Sequence, residues 1–300
     1  MRIGISVTSA HRVDDPREGA RNMVERAATA ASAGLTSLFI GDHHVTPTPY
    51  YQNTAILGRM LAEWNDQPAG ALYLLPLWHP VLLAEQIATL AAIMQGRFIL
   101  QCAIGDLHQR RAMGMPLRDG AQMLTDSLDI MRRLWRGETV SEDRFWQINE
   151  ARISPLPADP VEVWVGASAP AAINRAARVA EGWLASPGLT LDQARDSLNH
   201  FQQACAEHNR APAAVAIRKD IYVGLSSAQA RSVVQPYIDR GYRGMNPQAL
   251  VYGSVNEVAD QIQQLADLGY TDVIVRNLTS DQSEALACIE RLADVRSALE

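Results

Sequence analysis

Residues 70–90 read GALYLLPLWHPVLLAEQIATL, which predicts a buried strand, a turn and a helix in immediate succession. The run Gly70–Leu75 is almost continuously apolar, as is typical of a parallel strand whose two faces are both covered. Pro80 then falls in the first turn of the predicted helix, where its missing N–H costs no hydrogen bond. Apolar residues recur at helical spacing from Leu83 to Met94. The stretch therefore predicts one complete strand–helix unit of an α/β fold.

Seven further apolar runs repeat this pattern along the chain. The eight predicted strands are Ile3–Val7, Ser37–Gly41, Gly70–Leu75, Arg97–Ile104, Val161–Gly166, Gly182–Ala185, Ile217–Val223 and Asp272–Val275. Such strands alternating with helices predict a (β/α)8 barrel, or TIM barrel. Because no linker or repeat divides the chain, we expect residues 1–300 to form this barrel as a single domain. Two segments, 138–160 and 242–253, break the repeat and are predicted to be insertions.

The composition argues against several classes of protein. The net charge is −6 and no Lys/Arg run occurs, which argues against a nucleic-acid partner. No apolar stretch reaches about 18 residues, so no membrane span is expected. Cys102, Cys205 and Cys288 are far apart, and the chain starts without a signal-peptide core. We therefore expect reduced thiols in a cytoplasmic protein rather than a disulfide framework.

Asp42, His43 and His44 stand together where the second predicted strand ends. TIM barrels place their catalytic groups at the carboxyl ends of the strands, and imidazole titrates close to neutral pH. Neighbouring residues on a strand point to opposite faces, so the two histidines are not expected to bind one metal ion. The pair therefore predicts proton transfer by His43, and the structural alternative is that the histidines only cap the strand through the backbone.

Two other strand ends carry candidate groups. Asp106 follows the fourth strand, where it could be an active-site carboxylate or the N-cap of the next helix. Gly166, Ala167, Ser168 and Ala169 follow the fifth strand, directly before a helix. Free N–H groups at such a helix start can bind phosphate, although an ordinary helix start explains the same residues. The GxxxxGK[ST] and GxSxG motifs are absent, which argues against a P-loop protein and an α/β-hydrolase.

Taken together, these segments resemble the bacterial-luciferase-like monooxygenase superfamily. The resemblance is carried by GDHH at residues 41–44, by residues 70–90, by VWVGASAPAA at residues 163–172 and by the pair Gly182-Trp183. It runs in order from about residue 2 to about residue 275, so the combination is specific although each segment alone is weak.

The resemblance implies a barrel that binds FMN, or the deazaflavin coenzyme F-420, at its carboxyl mouth. It also implies a non-proline cis peptide between Ala71 and Leu72, behind the cofactor ring. Such a bond costs about 3 kcal/mol and is tolerated where function requires it. The residues that the resemblance places beside the cofactor, the last three of them at its phosphate, are Asp42, Ala71, Leu72, Gln109, Gly166, Ala167, Ser168 and Ala169.

The same resemblance assigns roles around the mouth. It implies proton transfer by His43 and a second catalytic group in Asp106. Independently of the resemblance, four residues are candidate substrate-pocket groups because each falls at or near a carboxyl strand end: His11, His44, Trp78 and Arg276. For Arg276 the alternative is a salt bridge at the barrel rim. Ile104 replaces an Arg that luciferase itself uses, and this departure argues against luciferase proper.

The expected function is a luciferase-like oxidoreductase or monooxygenase that uses reduced FMN or a deazaflavin on a small organic substrate. The alternative is a deazaflavin-dependent dehydrogenase or reductase that works by hydride transfer. A flavin-binding protein without catalysis and a metal-dependent barrel hydrolase are more distant alternatives. Family analogy further implies a homodimer and a separate flavin or deazaflavin reductase as a partner.

Overall fold

The structure is a computed structural model that describes residues 1–64 and 66–300. Its strands are β1 (Arg2–Val7), β2 (Leu38–Ile40), β3 (Ala69–Leu74), β4 (Phe98–Ala103), β5 (Val140–Glu142), β6 (Ile148–Ala151), β7 (Glu162–Gly166), β8 (Gly182–Ala185), β9 (Ala214–Val223), β10 (Val251–Gly253) and β11 (Asp272–Asn277). Its α-helices are α1 (Pro16–Ser32), α2 (Asn53–Met60), α3 (Pro80–Ile93), α4 (Leu107–Ala112), α5 (Gly120–Trp135), α6 (Pro170–Val179), α7 (Leu191–Glu207), α8 (Ser227–Asp239), α9 (Val255–Leu268) and α10 (Gln282–Ala298).

Eight parallel strands close into a barrel. The order is β1, β2, β3, β4, β7, β8, β9 and β11, and β11 pairs back to β1. The predicted (β/α)8 barrel is therefore confirmed, and the predicted strands differ from the observed ones mainly at their ends. The largest shift is in β9, which begins at Ala214 rather than Ile217. Its first residues pair with β8 and complete the closure of the barrel.

The strands of the barrel are covered on both faces. A small buried cluster fills the inside of the barrel and consists of Phe39, Ile99, Trp164, Ala214, Ala216 and Ile274. The residues between these on each strand face outward and join a much larger core beneath the helices. This double burial explains why the strands read as continuous apolar runs. It also fixes which residues further along each strand face the inside of the mouth, because strand side chains alternate.

The two predicted insertions lie at different ends of the barrel. Residues 138–160 contain the antiparallel hairpin β5–β6, which precedes β7 and so lies toward the amino-terminal ends of the strands. Residues 242–253 contain two short 3-10 turns and β10, which extends the sheet beside the carboxyl end of β9. Only the second insertion therefore lies at the mouth.

The peptide bond between Ala71 and Leu72 is trans, so the expected cis bond is wrong for this chain. Among the described residues the one cis peptide bond is Ser154–Pro155. Ala71 and Leu72 stay in register with β4, opposite Leu100 and Gln101. A regular trans backbone keeps this ladder intact.

No helix within residues 1–64 and 66–300 has the length and apolar character needed to cross a membrane.

Candidate active site

His43 lies at the inner side of the barrel mouth. It continues the alternation that places Phe39 inside the barrel, and its side chain is half-buried. Its ring centroid is 5.8 Å from that of Tyr50, which belongs to the loop after β2. Its charge also acts on the carboxyl group of Asp106, at the end of β4. Two strand ends therefore meet at His43.

Asp42 points the other way and holds the ends of β2 and β3 together. Its Oδ2 accepts hydrogen bonds from the N–H of Leu74 at 2.8 Å and from Nε1–H of Trp78 at 2.9 Å. Its Oδ1 lies 2.9 Å from Nε2 of His44, an ion-pair distance whose angle falls outside hydrogen-bond geometry. The rings of His44 and Trp78 pack edge-on with centroids 5.7 Å apart. Three of the predicted site residues thus form one anchor, in which Asp42 is buried and His44 and Trp78 are half-buried.

Gln109 connects this anchor to Asp106. Its Oε1 accepts the N–H of His44 at 2.7 Å, and its Nε2 donates to Oδ2 of Asp106 at 2.6 Å. Oδ1 of Asp106 accepts the N–H of Gln109 at 2.8 Å, so Asp106 is the N-cap of α4. The capping alternative is thus confirmed, and the exposed carboxylate still faces the charge of His43.

Asp106 is held in its ionised form. Burial raises the pKa of its carboxyl group. Hydrogen bonds from the backbone and side chain of Gln109, together with the charge of His43, lower that pKa by more than burial raises it. The net pKa lies below the ordinary value. At neutral pH Asp106 can therefore act as a counter-charge to an imidazolium rather than as an acid.

The segment 166–169 has the geometry of an anion site. Ala169 is the N-cap of α6 and provides no side-chain hydrogen bond, and Ser168 and Ala169 are exposed. The N–H of Ala167 donates to the carbonyl of Leu184 at 3.3 Å, whereas those of Ser168 and Ala169 have no partner within the described residues. Two amides and the start of a helix can therefore accept a phosphate group.

Other predicted residues lie elsewhere. His11 is buried against Tyr51, with Nε2 3.0 Å from the carbonyl of Thr8, and burial and the charge of Arg26 lower its pKa. Its contacts point toward α1 rather than toward His43. Ala71 faces the outer core, whereas Leu72 is half-buried on the inner face of β3.

A charged cluster on β9 and β11 was missed by sequence reasoning except for Arg276. Asp220 is fully buried, and its Oδ2 accepts hydrogen bonds from Nη2 of Arg276 at 2.7 Å and from the hydroxyl of Tyr242 at 3.0 Å. Nη1 of Arg243 lies 3.5 Å from the same oxygen, and Nε of Arg218 lies 3.7 Å from Oδ1. The rim salt bridge considered for Arg276 is therefore present.

The sequence of β9 contains a pattern that predicts this cluster. In AVAIRKDIYV the interior residues Ala214 and Ala216 are followed on the same face by Arg218 and Asp220. Small apolar side chains inside the barrel thus give way to charges at its mouth.

The described parts of the chain contain no cluster of side chains with the arrangement of a metal site. Within residues 1–64 and 66–300 no group of three or more His, Cys, Asp or Glu side chains is arranged to hold a metal ion.

Comparison with known proteins places these features in a family. The family described as luciferase-like monooxygenase matches residues 1–249. The F420-dependent glucose-6-phosphate dehydrogenase of Nakamurella multipartita is 30% identical over 181 residues, covering 57% of this chain and 53% of that protein, or about half its length. The protein of the same name from Intrasporangium calvum is 24% identical over 307 residues, covering 89% of this chain and 92% of that protein.

A solved structure shows the same fold. The monooxygenase RslO1 from Streptomyces bottropensis superposes with a TM-score of 0.85, at 17% identity and with 98% of each chain covered. Since the family match spans most of the chain and includes every strand of the barrel up to β9, the chain belongs to the luciferase-like monooxygenase family of oxidoreductases.

Proposed function

We propose that this protein is an F420-dependent oxidoreductase that transfers a hydride between the coenzyme and a small alcohol or carbonyl substrate. The observation that carries the proposal is His43 on the inner side of the mouth, beside the ionised carboxylate of Asp106. The relatives named F420-dependent dehydrogenases support it, one of them over 89% of this chain.

The residues at the mouth fit such a coenzyme. Leu72 offers a half-buried apolar wall, and the amides of Ser168 and Ala169 offer a phosphate site. Nε2 of Gln101 is buried on the inner face of β4 without a hydrogen-bond partner, so the mouth has an unused polar group for a ligand. The coenzyme, when bound, supplies a two-electron hydride acceptor.

The chain's own residues then manage the proton. As the substrate's C–H hydride leaves, the imidazole of His43 takes the proton of the neighbouring O–H, and a carbonyl product forms. Asp106 stabilises the resulting imidazolium by charge. Asp42 and Gln109 hold the loops after β2, β3 and β4 in place, so His43 and Asp106 keep their relative positions. In the reverse direction His43 returns the proton to the substrate oxygen.

FMN-dependent monooxygenation is the second candidate. The adjacent pair His43 and His44 favours it, because the double-histidine form resembles the FMN-dependent members of the superfamily. Under this reading a separate flavin reductase supplies the reduced cofactor. A homodimer remains a prediction under both readings.

A titration distinguishes the two readings. We expect F420 to bind with a dissociation constant below about 100 μM, and more tightly than FMN, when cofactor or protein fluorescence is followed. Ser168→Asp places a negative charge at the phosphate site and is expected to weaken binding of either cofactor by about tenfold or more.

Ser226→Asp is the matched control, since it also changes a serine at a helix start, on α8. It is expected to bind both cofactors as the wild type does. Tighter binding of FMN would favour the second candidate. If neither cofactor binds, the proposed function is wrong.

A further inference from the structure

The cluster around Asp220 carries more positive charge than it neutralises. Three guanidinium groups, those of Arg218, Arg243 and Arg276, approach one carboxylate. Arginine stays protonated, so the cluster has a formal charge of about +2. The side chains of Arg218 and Arg276 are only 22% and 16% exposed, so water screens this charge poorly.

Part of the hydrogen-bonding capacity of the cluster is unused. Nε of Arg276 is buried without a hydrogen-bond partner, and Nε of Arg218 and Oδ1 of Asp220 lie 3.7 Å apart, too far for a hydrogen bond between them. Burial, followed by repulsion from Arg276, lowers the pKa of Arg218 to about 10. A buried guanidinium without a matching anion destabilises the folded chain, so a bound anion would offset part of the free-energy cost of burying these charges.

The cluster lies close to the proton-transfer group. Arg218 and Arg276 occupy the inner faces of β9 and β11, directly above the apolar interior of the barrel. Tyr50 neighbours both sites. Its ring is 5.8 Å from that of His43, and its hydroxyl group is influenced by Asp42 as well as by Arg276 and Arg218. His43 and the arginines therefore both lie in the neighbourhood of this one aromatic ring, on inner faces of the same barrel mouth.

We propose that Arg218 and Arg276, with Arg243 at the rim, bind an oxyanion on the substrate, so that His43 acts on a hydroxyl or carbonyl a few atoms away. The proposal deepens the proposed function and rests on it for the reacting group alone. A phosphate monoester dianion balances the +2 charge, whereas a carboxylate leaves one charge unmatched. Asp220 holds Arg276 in place, because its Oδ2 accepts the hydrogen bond from Nη2 of Arg276.

The cofactor phosphate is assigned to a different wall. Its amides belong to the start of α6, after β7, whereas the arginines belong to β9, β11 and the second insertion. The two anion sites can therefore be separated by mutation.

Isothermal titration with inorganic phosphate, and separately with acetate, tests the proposal on the protein without cofactor. The Ser168→Asp variant serves as background, because it blocks the helix-start site. In that background we expect one phosphate to bind, more tightly than acetate. Adding Arg218→Met is expected to weaken phosphate binding by about tenfold or more, since one charged hydrogen-bond donor is lost.

The same substitution has a second signature. Arg218 has no hydrogen bond within its own cluster, so Arg218→Met is expected to raise the melting temperature while phosphate binding falls. A merely structural arginine would lower both. If phosphate does not bind in the Ser168→Asp background, or binds equally well after Arg218→Met, the proposal is overturned. Tighter binding of acetate than phosphate would overturn the phosphate assignment. Phosphate binding does not depend on F420 or FMN, so the proposed function can fail without this one.

Discussion

Replacing His43 with alanine is expected to lower kcat by about 10²- to 10⁴-fold, the usual contribution of a positioned general acid or base. The reason is that the two histidines at the ends of the neighbouring strands are engaged elsewhere: His44 contacts Asp42 and Trp78, and His11 is buried against Tyr51. Single-turnover hydride transfer, followed by F420 absorbance, measures the change. Cofactor affinity is measured in parallel, so that loss of binding and loss of chemistry are distinguished.

His208→Ala is the matched control, because His208 is an exposed histidine at the carboxyl end of α7, away from the mouth. It should turn over at the wild-type rate. A His43→Ala protein that binds cofactor and retains wild-type kcat would show that His43 only caps the strand.

The second large effect is on stability. Asp220→Ala is expected to lower the free energy of unfolding by about 3–5 kcal/mol, the typical result of removing one partner from a buried ion pair. Asp220 is fully buried and is the carboxylate that Arg276 and the hydroxyl of Tyr242 both donate to. Its removal leaves two buried guanidinium groups without a counter-charge. Urea unfolding at constant ionic strength measures the loss.

Asp129→Ala is the comparison for that experiment. The side chain of Asp129 is 69% exposed, and its Oδ2 lies 3.8 Å from Nη1 of Arg133 on the same helix. Its removal should therefore lower the free energy of unfolding by no more than about 0.5 kcal/mol. Equal losses in the two variants would mean that the cluster at the mouth does not depend on its buried carboxylate.

The fold could be predicted because its signals are local. Residues 70–90 give a strand, a turn and a helix with proline in its first turn, and β3 and α3 form almost where the sequence places them. The start of β9 was missed because Ala214 and Ala216 look like helix formers, and only their position inside a closed barrel makes them strand residues. The cis peptide was an expectation from resemblance alone, and the regular ladder between β3 and β4 does not provide it.

The location of the site was predictable from the sequence, but the hydrogen bonds and ion pairs within it were less so. Strand ends pointed to His43 and Asp106, since a barrel brings all its carboxyl ends to one face. The contact of Gln109 with the backbone of His44 joins residues 65 positions apart, which no periodic pattern records. Arg218 and Asp220 could have been found by extending the alternation of β9 beyond its apolar residues, because that face continues into the mouth.

The most direct test of the central claim is a crystal structure of the protein with F420 bound. We expect the deazaflavin ring at the carboxyl mouth, against Leu72 and within hydrogen-bonding reach of the His43 side chain, with its phosphate on the amides of Ser168 and Ala169. A ring bound outside the mouth, or one that His43 cannot reach, would contradict the account.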